Sequence, residues 1–253
     1  MHITKDGFLD GAFIALQPAR GAHRSGLDAI LIAACVNEGL DGHVADFGAG
    51  CGIAGLAVAS RCRKARVDLF ELDPALVDLA DQSLALEKNF DLKERVSACA
   101  MDLTAPHGAR VQSGLADHHY AHIICNPPYN DGQHRPSPSF GKRSAHHMAA
   151  DSLEPWIAAA TSSLAPKGRL TMIVRPTSLS DALTCMDKRF GAISIMPVHS
   201  TSERPANRLL IDGIKASNAG LTLQPALVIH NRDNTFTDEA ENLLRGRAGI
   251  SMR

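Results

Sequence analysis

The sequence predicts an α/β protein: a doubly wound, mostly parallel sheet of seven strands with a short cap in front of it. Three observations predict this. From Val44 onward, short aliphatic runs alternate with stretches of helical periodicity, the pattern of successive βαβ units. Hydrophobic residues make up 45% of the chain but aromatics only 4%, which suits aliphatic helices packed on a sheet. The first strand-like run leads directly into Gly48, Gly50 and Gly52, a turn whose backbone can touch a ligand. At 253 residues a single domain is expected, with residues 1–40 as the cap and 41–253 as the core.

Each element has its local reason. Residues 1–25 are mixed and Gly-rich, and then Leu27, Ile30, Leu31, Ala34 and Cys35 repeat at helical spacing until Gly39. A strand over Val44–Phe47, a helix over Ile53–Cys62, a strand over Val67–Leu72, a helix over Pro74–Asn89 and a strand over Val96–Met101 follow. Asp73 before Pro74 is the expected N-cap of the second of these helices. A fourth strand ends at Cys125, and a helix over Leu153–Leu164 precedes the turn Pro166-Lys167-Gly168 and a strand over Leu170–Val174. A helix near Leu179–Arg189 and apolar runs at Ile193–Val198, Leu209–Ile214 and Ala226–His230 complete the sheet. The stretch from Asn130 to Met148 has no periodicity, and long loops of this kind form lids or binding surfaces. The tail is polar, and Arg245-Gly246-Arg247 is expected to fray.

Composition narrows the function. With 26 basic and 27 acidic side chains the net charge is −1, so any contact with a polyanion must come from a local patch. The six cysteines show no CxxC spacing and lie mostly in apolar runs, which predicts buried free thiols in a reducing cytosol. The longest apolar run, from Ala29 to Val36, is too short to span a bilayer, so a soluble cytoplasmic protein is expected. His118, His119 and His122 lack a neighbouring carboxylate cluster, and metal binding is not expected from them. Arg61, Arg63, Lys64 and Arg66 end a helix, where cations complement its dipole.

The residues that carry chemistry cluster at strand ends. The motif from Asp46 to Gly52 differs from the dinucleotide fingerprint because Ile53 takes the place of the third glycine, which argues against NAD. Such a turn suits a cofactor with a small zwitterionic tail near a helix start. Glu71 ends the second strand about twenty residues on, where a carboxylate accepts ribose hydroxyls. Asp102 ends the third and can accept from an adenine amino group or cap the next turn. Asn126-Pro127-Pro128-Tyr129 follows the fourth strand, at the sheet edge that carries the glycine turn. The Asn126 side-chain oxygen and the Pro127 carbonyl can accept both hydrogens of a planar amine, while Tyr129 offers a stacking face.

These residues resemble the class I S-adenosylmethionine-dependent methyltransferases, and NPPY is similar to the signature of the branch that methylates planar amino groups. Within that branch the layout is similar to the bacterial tRNA1(Val) adenine-N6 methyltransferase family. The segment Gly21 to Leu31, with Arg24 and Asp28, the motif Asp46 to Gly52, Glu71-Leu-Asp-Pro74, NPPY and Arg204-Pro205-Ala206-Asn207-Arg208 carry the resemblance. It implies a Rossmann-like methyltransferase fold and S-adenosyl-L-methionine as cofactor. It places Gly48, Gly50 and Gly52 at the methionine part, Glu71 at the ribose, Asp102 at the adenine and Asn126 to Tyr129 at the target base of a tRNA. Arg135, Lys142 and Arg143, with His134, His146 and His147, are candidates for phosphate contacts.

Other acceptors stay open at this point. A side-chain amide is also planar, so a protein glutamine-N5 methyltransferase is an alternative, although Asp46 comes early enough to leave little room for the helical substrate domain of that family. Guanine-N2 methylation of RNA, a small-molecule acceptor and an inactive cofactor-binding module are the other readings. The oligomeric state is not legible.

Overall fold

The computed structural model describes residues 2–19, 26–128 and 153–252. Strands β1 (Ile3–Phe8) and β2 (Phe13–Pro18) precede α1 (Leu27–Ala34). Next come β3 (His43–Phe47), α2 (Ile53–Arg61), β4 (Arg66–Glu71), α3 (Pro74–Leu84), α4 (Phe90–Lys93), β5 (Val96–Ala100), α5 (His107–Gln112) and β6 (Tyr120–Cys125). The C-terminal half contains α6 (Glu154–Ser163), β7 (Leu164–Val174), α7 (Leu179–Met186), β8 (Phe190–Thr201), β9 (Ala206–Lys215), β10 (Thr222–Leu223), β11 (Leu227–His230) and α8 (Asp238–Leu244).

The main sheet runs β10-β8-β9-β7-β6-β3-β4-β5, with β11 also paired to β8. Only β9 is antiparallel to its neighbours. Among the described residues the sheet has nine strands, not the expected seven, because the long β8 has room on its outer edge for two short partners, of which β11 matches the apolar run Ala226–His230. β10 pairs at Ser194–Ile195 and β11 further along at Val198–Thr201, which covers an otherwise open edge. Alternation along the strands feeds two apolar layers. Val44, Val67 and Ile124 face the layer that contains α1, α2, α3 and α8, whereas Ala45, Phe47, Phe70 and Cys125 face the layer of α6 and α7.

The N-terminal cap is a β-hairpin, where the sequence suggested only a mixed Gly-rich segment. Ile3 pairs with Pro18 and Phe8 with Phe13 around a turn in which Leu9, Asp10 and Gly11 all have positive φ. The hairpin docks through backbone hydrogen bonds. Leu16 N–H donates to Ser83 Oγ (2.9 Å), Ile14 N–H donates to Asn89 Oδ1 (3.0 Å), and Asn89 Nδ2 returns a bond to the Ile14 carbonyl (2.6 Å). The buried Asn89 amide also donates to the Ser83 carbonyl, and this is why the helix expected to reach Asn89 stops at Leu84. The C-terminal segment is tied down and does not fray at Arg245–Arg247. Arg245 and Arg247 both bind Asp10 in the hairpin turn (3.0 and 2.7 Å), and Ile250 N–H donates to the Ala34 carbonyl.

Sheet register also assembles a buried polar chain. Asp212 of β9, 1% exposed, lies opposite Thr171, and Arg169 lies opposite His122. Thr171 Oγ1 donates to Asp212 Oδ1 (2.7 Å), the Arg169 guanidinium pairs with the same carboxylate, and His122 Nε2 meets Thr171 Oγ1 at 2.7 Å. Burial and Arg169 lower the His122 pKa to about 3, so the ring is neutral. Asp212→Ala leaves Arg169 and Thr171 without their acceptor and should cost about 3–5 kcal/mol. Urea unfolding of the purified variant measures this, and a loss below about 1 kcal/mol would show that the chain contributes little.

Candidate active site

The chain passes outward from β3 to β4 and β5, then returns to the other side of β3 as β6. The sheet order therefore reverses between β3 and β6, and ligands bind outside the carboxyl ends of strands at such a switch point. The register aligns Phe47 with Phe70 and Cys125, and Glu71 with Ala100. Gly48, Glu71, Asp102 and Asn126 consequently all leave the sheet at one edge.

The turn after β3 is held by its own backbone and by two carboxylates. Gly48, Gly50 and Gly52 have φ of 73°, 56° and 83°, where a side chain is strained. Gly48 and Ala49 N–H both donate to the Phe70 carbonyl (2.9 and 3.0 Å), and Gly50 N–H donates to Glu71 Oε2 (2.8 Å). Glu71 Oε1 accepts from Asp73 N–H (2.9 Å), so one carboxylate joins the glycine turn to the turn after β4. Asp46 is buried and accepts from Gly55 N–H in the first turns of α2 (2.8 Å). Desolvation, opposed by that hydrogen bond and reinforced by Glu71, raises its pKa to about 7.

Two residues escaped the sequence reading. A Cβ on Gly55 would lie 2.1 Å from Leu69 Cδ2 and 3.2 Å from Val67 Cγ1, so α2 can reach the sheet only because this position is glycine. Counted from Gly50, the run Gly50-Cys-Gly52-Ile-Ala-Gly55 is a full G-x-G-x-x-G. Its third glycine has the packing role that the reading from Gly48 found missing at Ile53, so glycine spacing is no argument against a dinucleotide. The second residue is Trp156 of α6, the single tryptophan, whose ring would be 3.0 Å from a Cβ on Gly48. Nothing in its local sequence marks it, because α6 joins the turn only through the fold.

The other predicted residues are placed as follows. Asp102 is exposed, and its Oδ1 accepts from Thr104 N–H and Oγ1 (2.8 and 2.6 Å), the turn-capping role weighed beside adenine recognition. Asp73 caps α3 through Ala75 N–H as expected. Asn126 is half-buried, Pro127 buried and Pro128 exposed. Tyr129, Arg24, Arg135, Lys142, Arg143, His134, His146 and His147, and the loop from Asn130 to Met148, lie outside the described residues. Arg208 Nε donates to Asp28 (2.8 Å), joining the entry segment before β3 to the late segment at the start of β9. Arg61 is structural, but it serves a helix other than the one it ends: it donates to the carbonyls of Ala33 and Val36 at the end of α1 and pairs with Glu38. The three neighbouring histidines diverge: His118 meets Lys215, His122 meets Thr171, and His119 packs on His43. A cleft of about 490 Å³ lies at the opposite edge of the sheet, beside Asn37, Asp41 and Arg169, away from the glycine turn.

The model of the methyltransferase small domain family matches residues 27–200. The chain belongs to this family. It is therefore an S-adenosylmethionine-dependent methyltransferase. A tRNA1(Val) (adenine(37)-N6)-methyltransferase from Porphyromonas gingivalis is 26% identical over 227 residues, 86% of each chain. The protein of that name from Aeromonas hydrophila is 28% identical over 226 residues, 87% of each chain. Among solved structures, Atu636 from Agrobacterium tumefaciens, described as a predicted O-methyltransferase, is 33% identical with a TM-score of 0.76. That match covers 88% of this chain and 98% of the other. The residues of the methyltransferase fit its donor: side-chain-free backbone at Gly48 and Gly50 opens beside the Glu71 carboxylate and under Trp156. No helix among the described residues is long and apolar enough to cross a membrane.

Two tests follow from this geometry. Folded Asp46 keeps its proton up to about pH 7, whereas an unfolded Asp releases it near pH 4. Between these values the folded chain holds more protons, so this residue makes stability fall as pH rises. Asp46→Asn keeps an acceptor for Gly55 but cannot ionise, and its urea midpoint relative to wild type should improve steadily from pH 4 to pH 7; a constant difference would refute the raised pKa. Because Trp156 touches the glycine turn, S-adenosylmethionine should change the intrinsic fluorescence saturably. Unchanged emission at concentrations where calorimetry shows binding would place the donor elsewhere.

Proposed function

We propose that this methyltransferase acts in the cytoplasm, transferring the methyl group to the exocyclic N6 of an adenosine in tRNA. The observation that carries the reading is that Asn126-Pro127-Pro128 leaves β6 at the switch point, one strand from Gly48. The names of relatives at 26–28% identity support the choice of acceptor.

S-adenosylmethionine supplies a methyl on a sulfonium, which is already a good leaving group. The chain is left to position the acceptor and exclude water. Glu71 offers its carboxylate to the ribose hydroxyls, Asp102 an acceptor to the adenine amine, and Gly48, Gly50 and Gly52 their backbone to the methionine part. Asp46 acts one step removed, through the amide of Gly55. The Asn126 oxygen and the Pro127 carbonyl accept the two hydrogens of the target amine, drawing its lone pair out of the ring system. The amine attacks while neutral and loses its proton afterwards, so no strong base is required. Tyr129 stacks on the base, and Arg135, Lys142 and Arg143 meet the phosphates around it.

The decisive experiment supplies methyl-labelled S-adenosylmethionine to separate pools of unmodified tRNA, rRNA, protein and metabolites. Labelled N6-methyladenosine in tRNA is expected. Methylglutamine in protein, N2-methylguanosine in RNA or an O-methylated small molecule would each overturn the acceptor. Asn126→Ala should lower turnover by about 100-fold or more while the donor still binds, the scale of losing one aligned hydrogen-bonding group.

A further inference from the structure

At the sheet edge opposite the donor site, three side chains from distant parts of the sequence converge. His43 opens β3, Asp68 lies within β4, and His119 immediately precedes β6. The pairing of His43 with Arg66 puts His43 and Asp68 on one face, since Asp68 lies two residues further along β4. One donor atom from each residue lies within 4.8 Å of the other two. We propose that these residues form a binding site for a divalent transition metal of the zinc type.

The chemistry of the donors favours this. Two imidazoles and one carboxylate, with a fourth position left to water, are an established zinc donor set. His43 Nδ1 is buried without a hydrogen-bond partner, an orphaned lone pair or N–H that the fold otherwise leaves unexplained. The Asp68 carboxylate is oriented from behind, with Ser97 Oγ donating to Oδ1 (2.6 Å) and Tyr120 OH to Oδ2 (3.0 Å). Such outer hydrogen bonds aim carboxylate ligands in metal sites. The rings of His43 and His119 are 4.0 Å apart between centroids, and His119 is exposed. Rotation of His119 can draw the donors in to the spacing of about 3.3 Å implied by metal–nitrogen bonds near 2.0–2.1 Å. Its exposed side also gives the ion a path from solvent.

A metal here would clamp β3, β4 and the turn leading into β6, which are the strands of the switch point. It would not touch the donor edge, so its role is to stabilise the sheet. The sequence hides the site because the histidine run lacks a neighbouring carboxylate cluster, and β4 brings Asp68 to it only after folding.

The full chain, stripped with a chelator and dialysed, is titrated with Zn2+ against a chromophoric competitor, and its melting temperature is followed. One equivalent should bind and raise the melting temperature. His119→Ala, an exposed change, should lose both effects, whereas His118→Ala should keep them. Co2+ should give the intense visible absorption of a four-coordinate site in wild type and lose it in His119→Ala. Absence of stoichiometric binding to wild type, or equal binding to His119→Ala, overturns the proposal.

Discussion

The hydrogen bond from the Gly55 amide to the buried Asp46 carboxyl is the constraint on which the rest of the architecture depends. It forms only if α2 lies directly on the sheet, and α2 lies there only because Gly55 has no side chain to strike Leu69. Once helix and strand are that close, the chain between them must reverse within a few residues. Left-handed backbone at Gly48, Gly50 and Gly52 makes that reversal possible. The turn thus lies at the sheet edge as a consequence of packing beneath it, with the amides of Gly48, Ala49 and Gly50 held by the Phe70 carbonyl and the Glu71 carboxylate. Keeping Asp46 protonated over much of the neutral range avoids the cost of an unpaired buried charge.

A second layer of control comes from polar groups that span long sequence distances. Glu71 joins the glycine turn to the turn that follows β4, so these two turns are positioned by one carboxylate. Arg208 and Asp28 join residues 180 positions apart and bring the late segment to the start of α1. Behind the site, the Asp212 carboxylate fixes the antiparallel β9 against β7 and β6. The Thr171–Asp212 bond is buried, where removing one partner costs more than the pair itself contributes, whereas the Asp73–Glu71 bond is exposed. The hairpin in front and the C-terminal segment are joined at Asp10 by exposed ion pairs, which contribute less individually.

Family membership and acceptor chemistry rest on different observations. The family match covers residues 27–200, from α1 into β8, and takes in the glycine turn, Glu71 and Asn126-Pro127-Pro128 together. The proposed acceptor rests on Asn126-Pro127-Pro128 at the end of β6 and on the names of the relatives. The near-zero net charge offers no global attraction for RNA, so recognition of a polyanion would have to come from a local patch.

The sequence by itself determined the alternation of strands and helices, the aliphatic core, the glycine turn, the cap at Asp73 and the order of Glu71, Asp102 and Asn126 along the chain. These are legible because periodicity, capping and left-handed turns are local effects of a few adjacent residues. Tertiary structure decided what depends on approach between distant segments. The hairpin in the cap, the early stop of α3 at Leu84 and the docked C-terminus follow from bonds that Asn89, Ser83 and Asp10 make across the fold. Of the two short strands on β8, β11 was announced by the apolar run Ala226–His230, whereas β10 depends on a free edge that no local pattern announces. Gly55 was visible as a glycine, but its role follows from Leu69 lying beneath it, and Trp156 reaches the site only by the return of α6 to the sheet. The convergence of His43, Asp68 and His119 has the same origin: strand register, not sequence proximity, sets which side chains share a face.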